Sequence, residues 1–335
     1  METPLEMRCV DVCAGIGGRT MYLPVEMVAY VEPHRWNRAV LHKRRTFLQD
    51  APIVDSLRKV DFTDVDMVSL DLRQMDVQEL LDEYRPMYVF MESNQHVKPW
   101  RSILTCLHYA GYNVTWSVIA SNDAGAPHLR RRWFALAKRV RDVSPEIPNF
   151  LSWIRKMVPH GALVNGDFIR VKPPFMTQNN LDEPLILRRV EGLPGGLPTP
   201  VHRFLWTTPG NQMSAHIQMG KHSCDNLPSQ LRFESKTKRR LMYANPDWVE
   251  WMMGFPIGWT NLECKMPKTF VSWQVEPCAR MVEHLDNRIS IINSATVPQQ
   301  ARVALEVLLL RFIEGFGKKR KRGSDSPPGI LKNDS

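Results

Sequence analysis

The chain has 335 residues, with 44 Lys and Arg against 35 Asp and Glu, a formal net charge of +9 and a pI of about 9.3. A chain of this length can bury a substantial core without disulfides or metal ions. The six cysteines form no CxxC pair or compact cluster, which argues against a zinc module or a secreted disulfide framework and indicates a reducing compartment. We therefore expect no bound metal. We also expect no membrane partner, since no stretch is long and apolar enough to span a bilayer. The positive charge favours a polyanionic partner.

The first 140 residues alternate short apolar runs with amphipathic stretches, a rhythm that predicts a parallel α/β sheet. The predicted strands are residues 7–12, 27–32, 66–70, 87–91, 113–120 and 133–137. Residues 34–47 and 100–110 predict crossover helices, because apolar positions recur there with helical spacing.

The composition changes after about residue 140, where Pro and Gly cluster at 172–174 and 192–198. This change predicts a loop-rich second region that ends near residue 237. Helical patterns resume at 245–253 and 299–316.

A glycine-rich turn follows the first predicted strand, where residues 11–18 read DVCAGIGG. Such glycines permit a tight turn and the close approach of a nucleotide-like ligand to the backbone. Glu32 ends the second predicted strand, where its carboxylate can accept hydrogen bonds from both hydroxyls of a ribose. This spacing fits NAD or S-adenosylmethionine equally, and a solvated strand-end residue is the alternative for Glu32. Asp55, past the next predicted helix, can reach the adenine edge.

The glycine turn resembles the first motif of the DNA cytosine-5 methyltransferase family, Asp-x-Phe-x-Gly-x-Gly-Gly, with Cys13 at the Phe position. Other motifs follow in the family's order. Glu92, within FMESN at residues 90–94, resembles the Glu of the family's Glu-Asn-Val motif. Residues 126–134, APHLRRRWF, resemble Pro-Gln-x-Arg-x-Arg followed by an apolar strand, with His128 in place of Gln.

Two further motifs lie near the end of the chain. Residues 245–256 are similar to the family's ninth motif, in a form associated with viral and phage members. Residues 293–299 resemble the tenth motif, which returns to the cofactor, and either Asn293 or Ser294 can stand for its Asn.

The resemblance implies an α/β fold, the Rossmann-like S-adenosylmethionine-dependent methyltransferase fold, with a smaller loop-rich target-recognition domain. It divides the chain into a cofactor-binding domain at 1–139, a target-recognition region at 140–237, returning motifs at 238–316 and a basic disordered tail at 317–335. It implies S-adenosyl-L-methionine as cofactor and double-stranded DNA as partner. The implied cofactor-binding residues are Asp11, Cys13, Gly15, Gly17, Gly18, Glu32, Asp55, Asn293 and Val297.

The implied catalytic residues are Glu92, which would bind N3 of a flipped cytosine, and Arg130 and Arg132. Two arginines at i and i+2 of an extended segment point to the same side, where they can grip a phosphate or the cytosine carbonyl.

The cysteine that this chemistry requires is missing. The family adds a thiolate to C6 of a flipped cytosine so that C5 can attack the cofactor's methyl group. Its Pro-Cys-Gln loop follows the fourth strand, and here that loop reads DLRQM at residues 71–75. Arg73 or Gln74 occupies the cysteine position, depending on the alignment. No cysteine occurs between Cys13 and Cys106. Cys106 lies within a predicted helix, where we expect it to be a buried apolar residue.

Three functions stay open. The first is an inactive relative that binds DNA, the cofactor or a partner methyltransferase, and the second is an active DNA cytosine-5 methyltransferase with an unrecognised nucleophile. An RNA methyltransferase on the same fold meets the same obstacle. The loop at 71–75 lacks the prolines and the aromatic residue of amino-methyltransferases, so methylation of an exocyclic amine is unsupported.

A basic run of Lys and Arg at residues 318–322, from Lys318 to Arg322, precedes a Ser-, Asp- and Pro-rich end that cannot pack a core. Such a run can be a nuclear-localisation signal, a phosphate-binding arm or a solubilising tail. We expect a nuclear location, or the nucleus of a host cell, if the source is eukaryotic or viral, and a cytoplasmic location otherwise.

Overall fold

The computed structural model describes most of the first 140 residues and the returning C-terminal segment. The described residues are 7–72, 77–94, 100–124, 126, 128–140, 161–164, 167–169, 243–265, 267, 278–279 and 285–319. Arg73 and Gln74, most of the region 140–237 and the chain beyond Lys319 lie outside them.

Seven strands are described in the first 140 residues, close to where the apolar runs predict six. They are β1 (Arg8–Val12), β2 (Glu26–Val31), β3 (Ile53–Val54), β4 (Met67–Asp71), β5 (Tyr88–Asn94), β6 (Tyr112–Ala120) and β7 (Arg131–Arg139). Further strands are β8 (Gly161–Val164), β9 (Asp167–Ile169), β10 (Tyr243–Ala244) and β11 (Cys278–Ala279). The sequence did not predict β3, because two residues are too short for a period-2 pattern to be recognised.

The first nine strands form one sheet in the order β3-β2-β1-β4-β5-β7-β6-β8-β9. The first five strands of this order, β3-β2-β1-β4-β5, pair in parallel. β7 pairs antiparallel with both β5 and β6. The prediction of a parallel sheet is therefore wrong for its second half. An apolar run gives a strand but not its direction, because its side chains alternate in the same way in both pairings.

Six α-helices are described: α1 (Arg35–Lys43), α2 (Val77–Glu83), α3 (Trp100–Tyr109), α4 (Pro246–Met252), α5 (Leu285–Ser294) and α6 (Pro298–Lys319). Four of these were predicted, and α2 and α5 were not. The Asn245 side chain accepts a hydrogen bond from the amide of Asp247 at the start of α4, and Pro246 follows it at the first helical position. α6 runs to Lys319, so the predicted disordered tail is wrong for its first three residues.

Helices cover both faces of the sheet, and each face has its own apolar core. Cys9, Met67 and Phe90 pack with α1 and with α4 to α6. Val10 and Val68, one residue further along their strands, pack with α2 and α3 on the opposite face. The alternation follows from the period-2 geometry of strands, and the result is a three-layer α/β/α arrangement.

The second region is described only in part. β8 pairs antiparallel with β6 and β9 pairs with β8, so residues 161–164 and 167–169 extend the main sheet. The boundaries at 140 and 237 stay predictions. In the described part of the chain, no helix is long and apolar enough to cross a membrane.

Candidate functional site

The turn after β1 has the backbone that its glycines predict. Gly15 and Gly17 have φ angles of +61° and +87°, in the left-handed region that favours glycine. Cys13 has φ +51°, a conformation that costs energy for a residue with a side chain. A Cβ built on Gly15 would meet no atom within 4 Å, so open space adjoins the turn at this position.

Glu32 lies directly after β2 and is joined to this turn. One carboxylate oxygen accepts from the amide of Gly15 at 2.6 Å and the other from the amide of His34 at 2.8 Å. Glu32 has no exposed surface, and burial raises the pKa of its carboxyl group. The alternative of a solvated strand-end residue is therefore wrong. The side chain of Asn37 also hydrogen-bonds to this carboxylate. Contact of Glu32 with a ribose stays a prediction.

Asp55 lies at the same edge of the sheet, because β3 pairs in parallel with β2 and ends beside Glu32. Its side chain is 48% exposed and its carboxylate is 2.7 Å from the amine of Lys59. The ion pair with Lys59 lowers the pKa of Asp55. Contact of Asp55 with an adenine stays a prediction.

Asp11 is fully buried, and its carboxylate binds side chains of the turn. One oxygen is 2.5 Å from the Nη2 of Arg19 and the other accepts from the hydroxyl of Thr20 at 2.9 Å. Asp11 therefore anchors the turn, and its predicted contact with the cofactor remains untested.

Polar side chains form a row across one face of the sheet, at the carboxyl ends of the parallel strands. Asp11 lies opposite Ser69 in the pairing of β1 with β4, and Asp71 lies opposite Glu92 in the pairing of β4 with β5. Asn94 lies two residues after Glu92 on β5, and Arg132 of β7 lies opposite it. These positions share the strand phase of Cys9, Met67 and Phe90, so the row lies on the face that α6 covers.

Glu92 is the centre of this row and is 1% exposed. Its Oε1 is 3.1 Å from the Nε of Arg132, and its Oε2 accepts from the hydroxyl of Thr296. Arg130 donates from its Nη2 to the carbonyl of Ala295 at 2.9 Å. Arg130 therefore binds Ala295, and Arg132 binds Glu92, the partner of the adjacent Thr296. The two arginines point to the same side, as their i and i+2 spacing predicts. Arg130 binds backbone there, and its predicted grip on phosphate or cytosine stays a prediction.

Arg19 is a buried cation that no sequence motif indicated. Its side chain is 3% exposed, and its Nη1 is 3.9 Å from the Oε2 of Glu92. Its Nε donates to the hydroxyl of Ser69 at 2.7 Å, and its Nη2 donates to the carbonyl oxygen of Val12 at 2.7 Å. A charged residue directly after two glycines reads in sequence as solvated, so only tertiary structure reveals its burial.

His128, at the position of the family's Gln, is fully buried in a structural role. Its Nδ1 is 2.9 Å from the hydroxyl of Ser121 and its Nε2 is 3.1 Å from the carbonyl oxygen of Met252. Burial, with the nearby charge of Arg130, lowers the pKa of His128 to about 3. The neutral ring then donates from Nε2, which ties the start of β7 to the end of α4.

The last motif packs against the first. Asn293 is buried at the end of α5, whereas Ser294 is exposed and donates to the carbonyl of Ile291 at 2.9 Å. Val297 is fully buried in the core that α6 shares with β1. Which of Asn293 and Ser294 corresponds to the family's Asn stays open, and contact of Asn293 or Val297 with a cofactor stays a prediction.

The thiols of Cys9, Cys13 and Cys106 do not supply a nucleophile beside Glu92. Burial raises the pKa of Cys13 to about 11 and that of Cys9 well above its ordinary value. Cys106 lies on α3 and donates to the side-chain oxygen of Gln78 at 2.6 Å. α3 packs on the face of the sheet opposite to Glu92. Cys106 packs against the core on this face but is only partly buried. The expectation of a buried apolar residue is therefore only partly correct.

Comparison with known proteins matches the middle of the chain, which includes Glu92 and Arg130 to Arg132. A family model described as C-5 cytosine-specific DNA methylase matches residues 71–163. The type II methyltransferase M.CviJI of Paramecium bursaria Chlorella virus IL3A is 28% identical over 120 residues, which are 35% of this chain and 30% of that protein. The chain is similar to the C-5 cytosine-specific DNA methylase family over these segments. The match spans less than a third of the length of this viral relative.

A solved structure supports the fold. A mutant of DNMT2 from Spodoptera frugiperda has a TM-score of 0.50 at 12% identity, with 91% of this chain and 100% of that chain covered. The S. pombe Dnmt2 methyltransferase has a TM-score of 0.49 at 14% identity, with 91% and 99% covered. The predicted Rossmann-like methyltransferase fold is confirmed.

The similarity to this family and the methyltransferase fold imply S-adenosylmethionine as the cofactor. The residues at the ends of β1 and β2 fit its adenosine part. The turn at Gly15 borders open space, and the Glu32 carboxylate lies beside it, held by the amide of Gly15. Among the described residues, no group of three or more His, Cys, Asp or Glu side chains is placed to hold a metal ion.

Proposed function

We propose that this protein binds S-adenosylmethionine and duplex DNA, and that it transfers methyl groups poorly or not at all. One observation carries the proposal. Glu92, at the position of the base-binding carboxylate of this family, is held by Arg132 and Thr296, but the loop after β4 contains no cysteine.

Cofactor binding is the first half of the proposal. The glycine turn lets the backbone approach the cofactor, and Glu32 accepts hydrogen bonds from its ribose hydroxyls. When bound, S-adenosylmethionine supplies an electrophilic methyl group. The protein's own contribution here is to bind and orient the cofactor.

DNA binding is the second half, and charge supports it. The chain carries a net charge of +9, and phosphate contacts from Lys and Arg supply most of the nonspecific affinity for DNA. Glu92 would bind the N3 edge of a flipped cytosine, with Arg132 fixing the carboxylate's orientation.

Loss of turnover follows from the missing thiolate. C5 of cytosine is a weak nucleophile until a group adds to C6, and neither the guanidinium of Arg73 nor the amide of Gln74 can make that addition. The thiol of Cys13 has a pKa of about 11, so the reactive thiolate form is scarce near neutral pH. A DNA cytosine-5 methyltransferase with an unrecognised nucleophile is the second candidate, because the Glu92 cluster that activates the base is retained.

A protein that binds DNA and cofactor without turnover suits a regulatory role beside an active partner methyltransferase. The basic run that begins at Lys318 suits a nuclear location, in a eukaryotic cell or the host of a virus.

Binding is tested by titrating the purified chain with S-adenosylhomocysteine in a calorimeter and with labelled unmodified duplex DNA by fluorescence anisotropy. We expect both to bind, and Glu32→Ala to lose cofactor affinity while keeping DNA affinity. Glu26→Ala is the matched control, because Glu26 is exposed at the opposite end of the same strand. A parent chain that binds neither ligand would contradict the proposal.

A further inference from the structure

Arg19 links the glycine turn to the carboxylate that would bind the base. It follows Gly18 directly in sequence. Its guanidinium contacts Asp11 of β1, Ser69 of β4 and Glu92 of β5. The Nη2 group donates to the carbonyl oxygens of Val12 and Cys13, at 2.7 and 3.3 Å, where the turn begins. These hydrogen bonds tie the guanidinium to the backbone of the turn.

The opposite side of the same guanidinium faces the base-binding carboxylate. Its Nη1 is 3.9 Å from the Oε2 of Glu92, whose Oε1 pairs with Arg132. Glu92 thus lies between two guanidinium groups, one attached to the turn and one attached to β7. At an exposure of 1% to 3% for Glu92 and Arg19, this interaction is only weakly screened by water.

Arg19 stays charged in this position. Burial acts to lower the pKa of Arg19, but Asp11, Glu92 and Asp71 together raise it above its ordinary value. Asp11 balances one charge at close range. The remaining carboxylates, Asp71 and Glu92, lie opposite each other at the ends of β4 and β5.

We propose that Arg19 is a positioning residue that couples the cofactor turn to Glu92, so that a ligand in the turn changes the protein's affinity for DNA. This inference rests on the proposed function. It adds that the two bindings are linked, and that the link runs through one side chain. By thermodynamic reciprocity, DNA changes the affinity for the cofactor by the same factor.

The test measures the dissociation constant of S-adenosylhomocysteine by calorimetry, without DNA and with a saturating short duplex that is rich in unmodified cytosine. The ratio of the two constants is the coupling factor. We expect a ratio that departs from one by about fivefold or more in the parent, within the usual range of coupling. In Arg19→Gln it should fall to near one, because an uncharged amide cannot hold Asp11, Ser69 and Glu92 together.

Two more variants separate coupling from mere support of the fold. Arg19→Lys keeps the charge and should restore part of the ratio. Glu92→Gln keeps the shape of the partner but removes its charge, so it should lower the ratio even if Arg19→Gln does not fold. Arg8→Gln is the matched control, since Arg8 is a paired arginine at the opposite end of β1 and should leave the ratio at the parent's value.

The outcomes are distinct. A parent that binds both ligands with a ratio of one overturns the inference and leaves the proposed function standing. A ratio that persists in Glu92→Gln also overturns it, as does one that persists in a folded Arg19→Gln. A parent that binds neither ligand overturns both the inference and the proposed function.

Discussion

The carbonyl oxygen of Thr296 occupies the space where a side chain on Gly18 would begin. A Cβ on Gly18 would lie 2.4 Å from this oxygen and 2.6 Å from the ring of Phe255. The first motif of the chain therefore packs directly against the last, and the hydroxyl of the same Thr296 binds Glu92.

Gly18→Ala should destabilise the fold more than Gly15→Ala. Backbone atoms cannot move aside cheaply, so we expect Gly18→Ala to cost about 2 to 3 kcal/mol of unfolding free energy. Gly15 has open space around it and only the strain of its positive φ, which costs an alanine about 1 to 2 kcal/mol. Urea denaturation of both variants measures the difference. An equal or smaller loss for Gly18→Ala would contradict the packing described.

Acid should destabilise the protein through His128. Its pKa is about 3 in the folded chain against 6.5 ordinarily, so between these values the unfolded chain binds the extra proton. The contribution of His128 is fully present above pH 6.5 and is lost as the pH falls towards 3, by up to about 1.4 kcal/mol per pH unit. Unfolding free energies of the parent and of His128→Gln, measured across this range, should diverge, with the shallower dependence in the variant. Parallel curves would show that the ring is not held neutral.

Arg132 and Glu92 should be energetically coupled. Removing one partner of a buried ion pair leaves the other charge uncompensated, which typically costs about 3 to 5 kcal/mol. We expect Arg132→Met to cost less, about 2 kcal/mol, because Thr296 and Arg19 still face Glu92. In the Glu92→Gln background the same substitution should cost still less. A double-mutant cycle by urea denaturation measures this coupling, and additive effects would refute it.

Cys13 should react slowly in the folded protein. With a pKa of about 11 for its thiol, little thiolate exists at neutral pH, so alkylation by iodoacetamide should be much slower than in urea. Mass spectrometry of Cys13 peptides follows the rate, with Cys106 as the internal comparison because its thiol is only partly buried. Equal rates for Cys13 in the folded and unfolded chains would reopen this residue as a nucleophile.

Much of the sheet and the cofactor turn follows from sequence, because each depends on local patterns. The apolar runs place six strands within a few residues, and the glycines predict the turn that Gly15 and Gly17 form. The direction of β7 does not follow, since alternation is the same in parallel and antiparallel pairs. The two-residue β3 is too short to produce a pattern.

The candidate site divides in the same way. Glu92, Arg130 and Arg132 stand in motifs, and the structure brings them into one cluster. No sequence motif marks Arg19, Ser69 or Thr296. Their polar side chains become buried and hydrogen-bonded only when segments distant in sequence pack together. A buried arginine is rare enough that composition predicts it to be solvated.

Whether the missing cysteine abolishes turnover is tested by transfer of a labelled methyl group from S-adenosylmethionine to unmodified duplex DNA by the purified protein. Arg73→Cys, Gln74→Cys and Glu92→Ala are measured beside the parent. We expect no label above background from the parent or from Glu92→Ala. Label gained by one cysteine variant would support the loss of the nucleophile and identify its position. Label incorporated by the parent and lost with Glu92→Ala would contradict it and establish an active enzyme with another nucleophile.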